Sequence, residues 1–103
     1  MTDIENIDQI YPVTIVRDRY RGTYSGGLYT AWALDFYQVP QEIDDGDVEC
    51  ANFWHGTKAK EYVGIGRTPQ NALIDLYRKF RKHTSGHYYE YESMTMDAIR
   101  DRK

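Results

Sequence analysis

The run TPQNALIDLYRKF, residues 68–80, places the strongest constraint on what this chain can fold into. Thr68 can cap a helix by accepting a backbone N–H, and Pro69 suits the first helical position, where no N–H donor is needed. Ala72, Leu73, Leu76, Tyr77 and Phe80 then recur along one side at helical spacing. Arg78, Lys79, Arg81 and Lys82 complement the negative end of the helix dipole before Ser85 and Gly86 stop the element. The pattern predicts an amphipathic helix over about 69–83, whose apolar stripe must be buried against another layer.

Upstream, the periodicity changes from helical to alternating. YPVTIVRD, residues 11–18, is rich in β-branched residues, with Pro12 at its start, where a missing donor is tolerated. In LYTAWALDF, residues 28–36, Leu28, Thr30, Trp32, Leu34 and Phe36 share one face, predicted to be the core face, and Tyr29, Ala31, Ala33 and Asp35 the other. Between these strands lies YRGTYSGG, whose Ser25-Gly26-Gly27 is the turn chemistry of a hairpin. A phosphate-binding loop would instead open into a helix N-terminus, and the sequence after Gly27 alternates with period two.

Residues 39–43 read as a loop or one short turn. VECANFW, residues 48–54, reads as a third strand and EYVGI, residues 61–65, as a fourth, joined by HGTKAK as a hairpin connection. HYYEYE, residues 87–92, suggests a short fifth strand, followed by a short helix or tail. The expected fold class is α+β: an antiparallel sheet of about four strands, with the main helix packed on one face and burying Trp32, Leu34, Leu73, Leu76 and Phe80.

A length of 103 residues fits a single domain, and a formal net charge of -3 is small enough to leave the chain globular. Ten tyrosines are an excess, and they suit half-buried strands or a recognition surface, because each ring is apolar and each tip polar. The lone Cys50 cannot make an intramolecular disulfide and reads as a small buried hydrophobe. With no basic-then-apolar N-terminal run and no long apolar stretch, the expectation is a soluble cytoplasmic protein without a membrane partner, monomeric or homodimeric.

Few residues assemble into a recognisable chemistry. Gly64-Ile65-Gly66 precedes the helix but lacks a third glycine and a repeated βαβ pattern, so a tight strand-to-helix turn is expected rather than a dinucleotide site. Glu42, Asp44, Asp45, Asp47 and Glu49 crowd into eight residues without the ligand spacing of an EF-hand, which leaves a solvated acidic loop or an acidic contact surface. His83 and His87 are four apart, but Ser85 and Gly86 interrupt the helix between them. Cys50 and His55 are neighbours in sequence only, and no nucleophile stands beside a convincing base. No enzymatic activity, cofactor or metal is therefore expected. Arg17, Arg19 and Arg21 share parity and lie near Tyr20, Tyr24 and Tyr29, a combination suited to a protein interface or to stacked bases. The acidic balance weighs against nucleic acid, since cationic charge dominates affinity there.

Two family resemblances add to this reading. YPVTIVRD, a glycine hairpin, further strands and then VGIGRTPQNALIDLYRKF follow an order that resembles the N-terminal domain of HicB-like antitoxins. In that family a Gly-x-Thr-x-x-x-Ala-Leu cap-and-helix motif sits on a small sheet similar to a double-stranded-RNA-binding fold. Gly66, Thr68, Ala72 and Leu73 match it, while Asn71 stands where glutamate is usual, and residues 87–103 are short for the DNA-binding segment such antitoxins commonly carry. The stretch YSGGLYTAWALDF is similar to the opening of ArdA-type antirestriction proteins, with Tyr24, Gly27, Trp32, Asp35 and Phe36 in matching order and one residue fewer before the tryptophan.

The leading functional expectation is a binding protein of phage or mobile-element origin. It would inhibit a host nuclease or defence complex, in the anti-CRISPR or antirestriction manner, by occupying its nucleic-acid-binding surface. Asp44, Asp45, Asp47 and Glu49 would act as phosphate-like charges and Tyr20, Tyr24 and Tyr29 as anchors, with Arg17, Arg19 and Arg21 as further contacts. The alternatives are an antitoxin that masks a small RNA-cleaving toxin, as the first resemblance implies, and direct binding of RNA or single-stranded DNA.

Overall fold

The computed structural model describes residues 11–84, with side chains described as far as Arg81. The elements run β1 (Thr14–Arg17), β2 (Tyr29–Trp32), two short 3-10 turns (Phe36–Gln38 and Gln41–Asp44), α1 (Asp47–Gly56), α2 (Ala59–Tyr62), β3 (Gly64–Gly66) and α3 (Pro69–Thr84). The strands form one antiparallel sheet in the order β1-β2-β3, with Val16 opposite Thr30 and Thr30 opposite Ile65. The fold is α+β as expected, with three strands among the described residues and a main helix across one face of the sheet. The segment 87–92 lies outside the described residues.

Both faces of β2 are covered, which corrects the one-sided reading of residues 28–36. Trp32 and Leu34 pack with Ile43, Cys50, Phe53, Trp54, Ala59 and Val63, whereas Ala31 packs with Ala72, Leu76 and Phe80 of α3. The helix thus sits on the small-residue face, where Ala31 and Ala33 allow close approach, and the bulky Trp32 face is covered by the segment 43–63. The regular strand ends at Trp32, so alternation no longer governs the residues beyond it. Phe36 is 78% exposed and Leu28 36%, and neither joins the core.

The segment 48–54 is a helix, not the third strand that its short apolar run suggested. Its buried residues, Cys50, Phe53 and Trp54, stand at i, i+3 and i+4, and Asp47 and Glu49 place negative charge at the positive end of the helix dipole. A short apolar run satisfies both periods, and here the aromatic layer around Trp32 selects the helical one. Trp54 lies against Trp32 at 5.7 Å between ring centroids and against Phe53 at 5.4 Å. HGTKAK is accordingly no hairpin connection, and Ala59–Tyr62 adds a single helical turn before the strand that was expected over 61–65 begins at Gly64.

The helix of residues 69–84 begins as its sequence predicts. Thr68 Oγ1 accepts the Asn71 N–H at 3.0 Å, and the Thr68 carbonyl accepts the Ala72 N–H at 3.0 Å. One turn later Asp75 ties the helix to β3. Its Oδ2 accepts the Ile65 N–H at 2.9 Å and pairs with Lys79 Nζ at 2.8 Å, while Lys79 also donates to the Val63 carbonyl at 2.7 Å and Arg78 donates to Asp75 Oδ1 at 2.8 Å.

Burial pushes the Asp75 carboxyl up, but Lys79, the Ile65 amide and Arg78 together hold it below the ordinary 3.8. A carboxylate whose folded pKa is depressed stabilises the fold fully above its unfolded value, and that contribution disappears as pH falls through the folded value. Asp75→Asn is therefore expected to cost about 2 kcal/mol at neutral pH, as lost charge-assisted hydrogen bonds do. The gap to the parent protein should narrow as urea unfolding is repeated below pH 3.8, the carboxyl's ordinary value. A gap that stays constant across that range would mean that the carboxylate charge does not link α3 to β3.

A candidate protein-docking site

The loop joining β1 to β2 is organised by a residue that the sequence did not single out. Asp18, 7% exposed, closes the end of the hairpin by donating its N–H to the Leu28 carbonyl at 2.7 Å. Its carboxylate accepts the N–H of Tyr20 at 3.1 Å, the N–H of Gly22 at 2.6 Å and the Ser25 hydroxyl at 3.2 Å. Gly22 adopts φ +86, which lets its N–H turn back on that carboxylate, and Gly26 at φ +101 completes the reversal. The glycine-rich loop thus does embrace an anion, and the anion is the chain's own Asp18. An aspartate opening a turn with its side chain on the second following N–H is a known local signature, and it is present here in DRYRG.

Folded this way, the loop lies on the acidic segment. Arg19 donates to the Asp44 carbonyl and Tyr20 Oη donates to the Asp45 carbonyl. Tyr24 Oη donates to Asp47 Oδ1 at 2.8 Å, in the first turn of α1. Tyr20 and Tyr24 meet edge to face at 5.5 Å, the Arg19 guanidinium lies 5.5 Å from the Tyr20 ring centroid, and His55 packs edge-on to Tyr24 at 6.1 Å. Because Arg19 and Tyr20 hold backbone carbonyls, the carboxylates of Asp44 and Asp45 remain exposed, as do Asp47 and Glu49.

Both phenols stay protonated and able to donate. The hydrogen bond to Asp47, partial burial and the Asp47 charge raise the Tyr24 pKa above its usual value. For Tyr20, burial and the charges of Asp47, Cys50 and Glu49 outweigh the opposing pull of Arg19.

The ten residues singled out from sequence divide into those the fold brings together and those it does not. Arg19, Tyr20, Tyr24, Asp44, Asp45 and Asp47 form one connected surface, with Glu49 on the same helical turn. Tyr29 leaves the set, because it lies on β2 and packs beside Ala31, Ala72 and Leu76 on the α3 side. The shared face expected for Arg17, Arg19 and Arg21 does not form. β1 ends at Arg17, and Arg21 sits in the left-handed region at φ 56, so strand parity no longer relates the three. Tyr20 and Tyr24 both belong to the loop between β1 and β2.

Cys50 is fully buried on α1, and burial with the charges of Asp18, Asp44 and Asp47 pushes its thiol up to about 11. At neutral pH it is a packed thiol, while His55 is exposed on the loop side of Tyr24. Among the described residues no three His, Cys, Asp or Glu side chains converge to hold a metal ion, and no helix is long and apolar enough to cross a membrane. Phe36 and Tyr37, 78% and 73% exposed, form an edge-to-face pair on the turn preceding the acidic segment. Alternation continued from β2 would place Phe36 in the core, and for that reason the sequence pattern alone does not reveal this pair.

In comparisons with known proteins, no family model, curated protein or solved structure matches the chain.

Proposed function

We propose that this chain is a non-enzymatic inhibitor that lays its acidic segment 42–49 on the basic, nucleic-acid-binding surface of a host nuclease or defence complex. The observation that carries this reading is the bracing of that segment from behind. Arg19 and Tyr20 fix the carbonyls of Asp44 and Asp45, and Tyr24 fixes the Asp47 carboxylate, while Asp44, Asp45 and Glu49 are exposed residues. A row of anions on a held backbone loses little conformational freedom on docking, so ordering offsets less of its attraction for a cationic groove. Charge of one sign at a surface also steers the encounter, in a way that falls with ionic strength.

The test is competition. Purified effector nucleases of host defence systems, each loaded with labelled DNA, are titrated with the parent protein and with the Asp44→Lys/Asp45→Lys variant. DNA release by the parent protein, slowed about tenfold or more in the variant and weakened by added salt, is the expected outcome. Equal release by both proteins removes the acidic segment from the mechanism. A shift of labelled RNA by the protein alone moves the reading to direct nucleic-acid binding.

The antitoxin reading keeps some support from the sheet of β1, β2 and β3 crossed by a helix that opens on Gly66, Thr68, Ala72 and Leu73. Tight co-purification with a small basic RNA-cleaving protein, without any effect on nucleases, would favour it.

A further inference from the structure

Among the described residues β1 lies at an edge of the sheet, and no strand pairs with its outer side. Asp18 and Leu28 are a hydrogen-bonded pair, so the antiparallel alternation turns the backbone groups of Val16 and Thr14 toward β2 and those of Ile15 and Arg17 outward. Beside this edge runs a groove of about 630 Å³, lined by Val16, Phe36, Tyr37 and Ile43, with Asp44 and Asp45 also on its wall. Outward backbone donors and acceptors, an apolar floor, two exposed rings and two exposed aspartates thus adjoin one another.

We propose that the outer edge of β1 takes an extended segment of the partner protein as an added strand, with an apolar side chain in the groove and a Lys or Arg facing Asp44 and Asp45. The main-chain bonds of an added strand supply affinity, and side chains at alternate positions supply selectivity, which suits residues two apart on one face. Charge complementarity selects the cation, because the acids stand on the groove wall and the chain as a whole is negative at -3. The inference rests on the reading of the acidic segment as a docking surface and names the partner's shape and chemistry there.

The test uses the full ¹⁵N-labelled chain and a short capped peptide of alternating valine and lysine as the probe. Expected are shifted and exchange-protected amides at Ile15 and Arg17, together with loss of affinity when the peptide is N-methylated on alternate backbone nitrogens. That loss should be about tenfold or more, as removal of two main-chain hydrogen bonds implies. Ile15→Pro should weaken binding similarly, since it deletes an outward N–H without touching the ladder to β2, and Phe36→Ala/Tyr37→Ala should weaken it without altering the fold.

Equal binding of the N-methylated peptide, or binding that leaves the Ile15 and Arg17 amides unmoved, would overturn the inference while leaving the acidic-segment reading intact. Conversely, edge protection that persists in Asp44→Asn/Asp45→Asn, with a valine–glutamate peptide bound as well as the valine–lysine one, would sink the acidic reading and the choice of a cationic partner. A concentration-dependent dimer dispersed by Ile15→Pro would overturn the inference in favour of a second copy on this edge.

Discussion

Gly64→Ala is expected to destabilise this protein by about 3 kcal/mol or more, at the upper end of what overpacking costs. A Cβ at Gly64 would stand 2.1 Å from the Ala72 carbonyl oxygen and 2.6 Å from the Leu76 nitrogen. Both atoms belong to the backbone of α3, so no side chain can turn aside and the helix itself must lift off β3. Lifting it would loosen Leu76 and Ala72, both fully buried, and stretch the bond from the Ile65 N–H to Asp75. Urea unfolding of Gly64→Ala beside Gly56→Ala makes the comparison clean. Gly56 lies in α1 with nothing within 4 Å of its added methyl, and its replacement should be neutral or stabilising by up to about 1 kcal/mol. Matching behaviour of the two variants would show that α3 does not approach the sheet so closely. The same geometry explains the Gly64-Ile65-Gly66 pattern, in which the space left by the glycines is filled by helix backbone.

Asp18→Ala should cost about 3 kcal/mol, because it leaves the Tyr20 and Gly22 N–H groups and the Ser25 hydroxyl without their common acceptor. Its effect reaches beyond stability. Once the loop is released, Arg19, Tyr20 and Tyr24 no longer brace the acidic segment, so the exchange protection of the Tyr20 and Gly22 amides should fall. Any inhibition of a nuclease should fall with it, although no carboxylate of the acidic segment has changed. Ser25→Ala, which removes one donor and leaves the acceptor in place, should do much less. Retained protection at Tyr20 and Gly22 in Asp18→Ala would mean that the loop holds its shape by other means.

How much of this was legible in the chain depended on the range of the interactions concerned. The helix over 69–84 was readable because its cap, its proline and its stripe are all local, and Thr68 caps it as its position implies. The hairpin between β1 and β2 was readable because glycine chemistry and period-two alternation agree. The segment 48–54 was not, since a seven-residue run with Val48, Cys50, Ala51, Phe53 and Trp54 as its apolar members fits either period, and only the Trp32 ring across the core decides between them. Phe36 escapes the pattern for a related reason: the strand stops at Trp32, and alternation has no hold on the residues beyond it.

The candidate site followed the same division. Its carboxylates and tyrosines were visible as a local excess, and six of the ten residues named on that basis meet in one surface. Their pairing was not visible, because Arg19 reaches Asp44 and Tyr24 reaches Asp47 across more than twenty positions of sequence.

By itself the sequence determined the class of the fold, the capped amphipathic helix, the reversal at the glycines and the concentration of acid in residues 42–49, since each depends on neighbours within a few positions. Contacts between distant segments select which face of β2 receives the helix, make residues 47–56 helical rather than extended, and turn the aromatic loop into a brace for the acidic segment rather than a separate patch. The physical reason is that these choices are set by volumes and hydrogen-bond partners that meet only when distant parts of the chain are packed together.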